Sequence, residues 1–248
     1  MGRSAGPLAG LDGPELLRAW EAASRVAPVR RAAAVLDAVL EDLPFTAELL
    51  PVGSCDTLML ALRIGTFGGW LSGVTSCPSC GAEADLDVDV AAILARLPAV
   101  DPADSEADPV QHGDHVVWYR LPTTADLVAC ADHPDAAMRV MARCITGATL
   151  AGEDADPADL PADVLAAVAD AMAAGDQAAD LRLRTECPAC GDEHAARLDI
   201  AGFFVNEITA AALTLLAEVD ELASRYGWSE PEILALSPTR RRTYLELR

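Results

Sequence analysis

Two copies of one short motif, 110 residues apart, restrict the fold more than any other feature of the chain. The first copy reads Thr75-Ser76-Cys77-Pro78-Ser79-Cys80-Gly81-Ala82-Glu83, the second Thr185-Glu186-Cys187-Pro188-Ala189-Cys190-Gly191-Asp192-Glu193. The match continues at the same offset to Asp89-Val90-Ala91 and Asp199-Ile200-Ala201. Two cysteines spaced in this way hold one Zn²⁺ from a tight turn, at ~2.3 Å per bond. Proline after the first Cys presets φ for the turn, and glycine after the second permits a positive φ. Leu86, Val88 and Val90 alternate with acids after the first knuckle, and Leu181 and Leu183 alternate with arginines before the second. Such alternation predicts strands, so each knuckle sits at the tip of a β-hairpin. The expectation is a split zinc ribbon in which Cys77, Cys80, Cys187 and Cys190 bind one structural Zn²⁺. The 106 residues between Cys80 and Cys187 are read as a helical insertion between its halves.

A redox Cys-x-x-Cys places its first Cys at a helix N-terminus, which lowers the thiol pKa; strand-like sequence flanks both pairs here. A pair of degenerate knuckles without metal is the other alternative. Seven cysteines, an odd number, with no signal-peptide pattern argue against a disulfide framework. Cys55, Cys130 and Cys144 lie singly in apolar stretches and are expected in the core. Four thiolates complete a tetrahedron, so His194 is expected to face solvent on its hairpin.

The chain has 248 residues, 52% of them apolar and only 4% aromatic; alanine makes up about a fifth. That composition favours helices and weakens the case for a large β-barrel. No stretch approaches the ~20 apolar residues of a membrane span. With Met1-Gly2-Arg3-Ser4 followed by no signal-peptide core, the expectation is a cytoplasmic chain. All 18 basic residues are Arg, against 39 acids, for a net charge of −21. Residues 77–186 alone carry 6 Arg and 21 acids. A field of that sign repels phosphate backbones and disfavours nucleic-acid binding by the whole surface, so no nucleic-acid partner is expected.

The fold expectation is α+β and mainly helical. Three segments are expected: an N-terminal helical segment over 1–69, the split ribbon over 70–200 with its halves at 70–90 and 180–200, and a C-terminal helical segment over 201–248. Helices are expected from Pro14 to Val26, Val29 to Glu41 (ended by Leu43-Pro44) and Thr57 to Ile64, and after caps at Asp89 and Asp199. In the insertion, 115–121 reads as a strand. A helix after Pro134 is expected to turn Met138, Met141 and Ile145 inward, and a further helix runs from Pro161 to Ala174. Asp101–Asp108 and Ala151–Ala158 read as acidic loops. Gly227 should end the long helix, and Ser229-Glu230-Pro231-Glu232 is a capping box.

Motifs for catalysis are missing: there is no G-x-S-x-G, H-E-x-x-H or P-loop. His112 and His115 around Asp114 are too sparse a set for a second metal site. The last helix, Thr239 to Leu247, is arginine-rich in an acidic protein. Either it complements the helix dipole, or Arg240, Arg241, Arg242, Tyr244 and Leu245 form a docking element.

Leu62-Arg63-Ile64-Gly65-Thr66-Phe67-Gly68, Tyr119-Arg120-Leu121-Pro122-Thr123-Thr124-Ala125-Asp126-Leu127 and Tyr226-Gly227-Trp228-Ser229-Glu230-Pro231-Glu232-Ile233-Leu234-Ala235-Leu236 occur in that order around the two knuckles. With Arg240-Arg241-Arg242-Thr243-Tyr244-Leu245, this resembles the baseplate proteins, or baseplate hub assembly chaperones, of contractile-tailed phages and phage-tail-like injection systems, over about residues 45–247. The resemblance implies a non-enzymatic structural or assembly role, with other baseplate, hub or spike proteins as partners. It also implies a place in the cytoplasm or in the assembled injection particle. Two alternatives remain: a zinc-ribbon adaptor in transcription or RNA metabolism, which would need a basic face beside the knuckles, and a Cys-x-x-Cys thiol-redox protein.

Overall fold

The computed structural model of the chain describes residues 8–40, 46–98, 100 and 107–247. The N-terminal Met1–Ser4, the helix stop at Leu43–Pro44 together with Glu41, and 101–106 of the first acidic loop lie outside the described residues.

Helix α1 (Gly13–Ser24) opens on a capping box in which Asp12 and Glu15 each accept the other's backbone N–H. A 3-10 turn at Pro28–Arg30 leads into α2 (Arg31–Val39). Helix α3 (Val52–Phe67) is twice the length expected from Thr57 to Ile64. Its first turn is stabilised from far away: the Asp176 carboxylate accepts the Gly53 N–H at 3.0 Å. These helices pack on the central α8 (Ile200–Tyr226), with Leu36, Leu50, Met59, Leu60, Phe204 and Ile208 fully buried between them.

The motif hairpins are β1 (Trp70–Ser76) with β2 (Glu83–Asp89), and β7 (Arg182–Glu186) with β8 (Glu193–Arg197). Leu71 and Val88 from the first hairpin, and Leu198 just past the second, anchor both bases in the same main core. Each hairpin runs into a helix through an aspartate cap. Asp89 accepts the Ala92 N–H at the head of α4 (Val90–Leu94), and Asp199 accepts the Gly202 N–H at the head of α8. The repeat is therefore a hairpin–cap–helix unit.

The insertion differs from the helical one expected. It carries an antiparallel four-stranded sheet in the order β3 (Val110–His112), β4 (His115–Tyr119), β5 (Ile145–Leu150), β6 (Glu153–Asp154). Ile145 does not lie on the helix after Pro134. That helix, α6 (Ala136–Cys144), stops one residue earlier, and Ile145 opens β5 opposite Tyr119. Its sequence, Ile-Thr-Gly-Ala-Thr-Leu, gains a fit as a strand once β4 lies beside it. The expected loop at 151–158 likewise contains β6. Helices α5 (Thr124–Cys130) and α7 (Ala162–Gly175) complete the insertion, and Val117, Tyr119, Ala148, Val164 and Val168 form its own core.

Gly227 ends α8 in the left-handed conformation. Then α9 (Glu230–Leu234) and α10 (Pro238–Glu246) fold back on its end around Val219, Leu222 and Ile233. Among the described residues α8 is the one helix long and apolar enough to cross a membrane, although its sequence shows no unbroken apolar run of that length. Eight of its residues are buried in the protein's own cores.

Candidate metal centre

The two knuckles are built alike. In each, the N–H of the first Cys donates to the carbonyl of the residue after the glycine, Cys77 to Ala82 and Cys187 to Asp192, both at 2.9 Å. The glycine N–H donates back to the first Cys carbonyl, again at 2.9 Å in both. Gly81 and Gly191 both sit at φ +73°, a conformation that costs an L side chain energy and that glycine adopts freely. The hairpins bring the turns together at their tips, so residues more than a hundred positions apart share one site.

The four Sγ atoms of Cys77, Cys80, Cys187 and Cys190 all lie within 4.8 Å of one another. Cys77 lies 3.7 Å from Cys190 and Cys80 lies 3.6 Å from Cys187. These contacts are far longer than the ~2.05 Å of a disulfide. They are close to the ~3.8 Å edge of a sulfur tetrahedron built on 2.3 Å metal bonds. The four cysteines can thus hold one metal ion, and the donor set is the all-thiolate one that suits zinc. The arrangement divides the thiols, lowering the pKa of Cys187 and raising those of Cys80 and Cys190. The Cys190 and Ala189 N–H groups point at the Cys187 sulfur and lower its pKa to about 6. At Cys190 the Asp192 N–H has a lowering effect, but bonds from the thiol to Cys80 and Cys187 outweigh it and push the pKa to about 12. A metal replaces those shared protons, since only thiolates ligate.

A hydrogen bond from Ser79 Oγ to Asp192 Oδ2, 2.8 Å, latches one knuckle to the other. His194 departs from the solvent-facing position expected of it. Its side chain is mostly buried, Nδ1 lies 3.3 Å from the Asp192 carbonyl, and Nε2 is buried without a partner. It stands with Asp192 beside Cys77, within ligand-atom reach. No pattern in the sequence pointed to this, because the first knuckle has Ala84 at the equivalent place. His112 pairs with Asp163 at 3.2 Å and stands opposite His115 in the β3–β4 register, and among the described residues the two belong to no cluster of metal-ligating side chains.

The last helix also differs from a free docking element. Arg241 is 6% exposed, pairs with Glu218 at 2.9 Å and donates to the Leu236 carbonyl. Tyr244 packs edge-on against Trp228 and Tyr226, and Leu245 packs on the core at the end of α8. Of the five residues, Arg240 and Arg242 are the exposed ones.

A family model described as T4 bacteriophage base plate protein matches residues 28–205, which include both knuckles and the whole insertion. The chain belongs to this base plate family. Neither a curated protein nor a solved structure matches it. Membership makes it a structural protein of a phage baseplate. It also gives meaning to the sequence motifs inside the matched span. Arg63 of this base plate protein, 4% exposed, grips both oxygens of Glu207 on α8 at 2.7 and 3.0 Å and donates to the Gly68 carbonyl. Gly65 packs so tightly on the Leu8 carbonyl that a Cβ would lie 2.2 Å from its oxygen. In the second motif Asp126 is buried and accepts from Arg120, Arg143 and both the N–H and hydroxyl of Thr123. Burial acts to raise its pKa, but these donors outweigh it and hold the carboxyl well below the usual range. The motifs are joints: one locks α3 to α8, the other locks the insertion's sheet to its helices. The aromatic motif at Tyr226–Trp228 lies beyond the matched span.

Proposed function

We propose that this base plate protein is a non-enzymatic scaffold pinned by one structural Zn²⁺ at Cys77, Cys80, Cys187 and Cys190, and that it acts through contacts with other baseplate components. The supporting observation is the single site assembled from two knuckles, with sulfur–sulfur contacts at the tetrahedral edge length. A closed four-thiolate site has no open position for substrate, so its chemistry is structural rather than catalytic. Binding energy at such a site is also folding energy. Here it would hold together hairpins that flank an insertion with a separate core. Arg240 and Arg242, on an exposed helix face of a strongly acidic protein, are the proposed contacts for an acidic groove on a neighbour.

The test is deletion of the gene, followed by electron microscopy of the particles. Loss of complete baseplates is expected, restored by the wild-type gene and not by one with all four cysteines changed to Ser. Normal numbers of complete particles without the gene would refute the structural role. Full rescue by the cysteine-free form would refute the role of the metal.

A further inference from the structure

His194 has the hydrogen bonding of a metal ligand. Along β8 it lies on the inward side with Ala196, while Glu193, Ala195 and Arg197 are exposed. Its side chain is 11% exposed. Nδ1 lies 3.3 Å from the Asp192 carbonyl oxygen, and the same oxygen accepts the Cys187 N–H at 2.9 Å, so it is part of the knuckle turn. A carbonyl only accepts, so Nδ1 carries the proton and the neutral ring keeps a bare lone pair on Nε2. Among the described residues no donor reaches that buried atom. A ring held through Nδ1–H on a carbonyl, with its other nitrogen free, is the form in which histidine ligates metals. A ring nitrogen, the Cys77 sulfur and an Asp192 carboxylate oxygen lie within 4.8 Å of one another. Cys77 is the one cysteine that belongs both to this group and to the four-sulfur cluster. The first knuckle has Ala82 and Ala84 in the places of Asp192 and His194, so the feature is confined to one side of the centre.

We propose that His194 is a reserve ligand of the zinc centre: it takes the place of Cys77, so that the ion is held by Cys80, Cys187, Cys190 and His194. This rests on the reading that the knuckles bind zinc. Three sulfurs and one imidazole nitrogen are a complete tetrahedral set for a structural zinc. Electrostatics favours the exchange. Four thiolates on one Zn²⁺ leave a surplus of negative charge, with Asp192 beside it and Glu83, Glu186 and Glu193 at the strand ends next to the knuckles. A neutral imidazole in place of one thiolate removes a negative charge and lowers the repulsion with these carboxylates. Cys77 leaves as a thiolate and takes a proton from water, so the exchange needs no oxidant. Ser79 Oγ still donates to Asp192 Oδ2 at 2.8 Å across the two knuckles, a bond that does not involve Cys77 and keeps the tips together. The chain therefore has two ligand sets with which to keep its hairpins joined through one ion.

The experiment is titration of the metal-free full chain with Co²⁺, read by visible absorption, on the wild type, Cys77→Ala, His194→Ala and Cys77→Ala/His194→Ala. The wild type and His194→Ala should give the same four-sulfur spectrum. Cys77→Ala should still bind Co²⁺ in tetrahedral form, with about three-quarters of the sulfur-to-cobalt charge-transfer intensity, three thiolates against four. The double variant should lose tetrahedral Co²⁺, or bind it about tenfold or more weakly than Cys77→Ala does. Water in the fourth position would also leave three thiolates, but then adding His194→Ala to Cys77→Ala would change neither the spectrum nor the affinity. That equality, or a Cys77→Ala chain that binds no Co²⁺ or does not fold with it, would overturn the proposal while leaving the four-sulfur centre of the wild type standing. A wild type that binds no Co²⁺ would overturn the zinc reading itself and the exchange with it.

Discussion

Asp126 and Asp56 respond to pH in opposite directions, and their surroundings explain why. Asp126 is held ionised by Arg120, Thr123 and Arg143, so its folded pKa lies below the unfolded value. It adds stability above the ordinary carboxylate range, and that stability is lost as pH falls toward the folded pKa. Asp126→Asn should cost about 3 kcal/mol at neutral pH, the lower end for breaking a buried pair, because Arg120 and Arg143 keep some water. Urea unfolding at pH 7 measures it, and an unchanged midpoint would show that the motif is no joint. Asp56 is pushed up to about 7, first by burial, then by Asp199 and Asp176. Its folded pKa exceeds the unfolded one, so stability falls as pH rises from about 4 through about 7. Asp56→Asn should therefore stabilise the protein at pH 8 and flatten that fall; thermal melts across pH that parallel the wild type would rule this out. Among the cysteines, Cys187→Ser should lower the melting temperature far more than Cys144→Ser. The first removes a proposed metal ligand, while the second perturbs one core contact at a cost of roughly 1 kcal/mol. Coincident melts would remove the metal from the stability of the fold.

The knuckle hairpins, the aspartate caps of α4 and α8, the glycine stop of α8 and the capping box of α9 were all legible, because each depends on residues a few positions apart. Asp89, Asp199 and Ser229 signal a helix start from their own sequence neighbourhoods. The first turn of α3 was not legible: its N–H finds Asp176, 123 residues away. The same holds for β5, whose partner β4 lies on the other side of two helices, and for His194, which stands beside Cys77 of the opposite knuckle. Cys77, Cys80, Cys187 and Cys190 could be grouped because duplication repeats a local signal; the burial of Arg241 was not legible because an isolated helix sequence does not reveal Glu218 beneath it. The paired hairpins also define a stoichiometry. Metal analysis of protein purified without chelator should find about one zinc per chain, since the knuckles complete one tetrahedron between them. Two zinc ions per chain would mean separate sites, and none in a fully folded protein would leave the latch to Ser79 and Asp192 alone.

At the scale of the molecule, two joints and one candidate metal site tie three packed regions together. Arg63–Glu207 fixes α3 on α8, Arg120–Asp126 fixes the insertion, and the knuckles close the hairpins. Beyond them α10 is held by Arg241 on Glu218, and by Arg225, which donates to the carbonyls of Tyr244, Leu245 and Leu247. That anchoring leaves Arg240 and Arg242 exposed on a rigid support, and a rigid arginine loses less freedom on binding than one on a loose tail. The expected outcome is specific. Arg240→Glu/Arg242→Glu should leave the melting temperature within about 1 °C to 2 °C of the wild type, because surface substitutions away from packed contacts change stability by only ~0.5 kcal/mol. In particles it should reduce the number of complete baseplates, since two attractive contacts with an acidic groove become repulsive ones. Arg241→Ala is the contrasting control: it leaves Glu218 without its partner and should lower stability while keeping both exposed arginines. Electron microscopy of particles carrying each variant separates the two effects. Complete baseplates at normal number with the double reversal would remove α10 from the interface and leave its arginines as a solvated helix face.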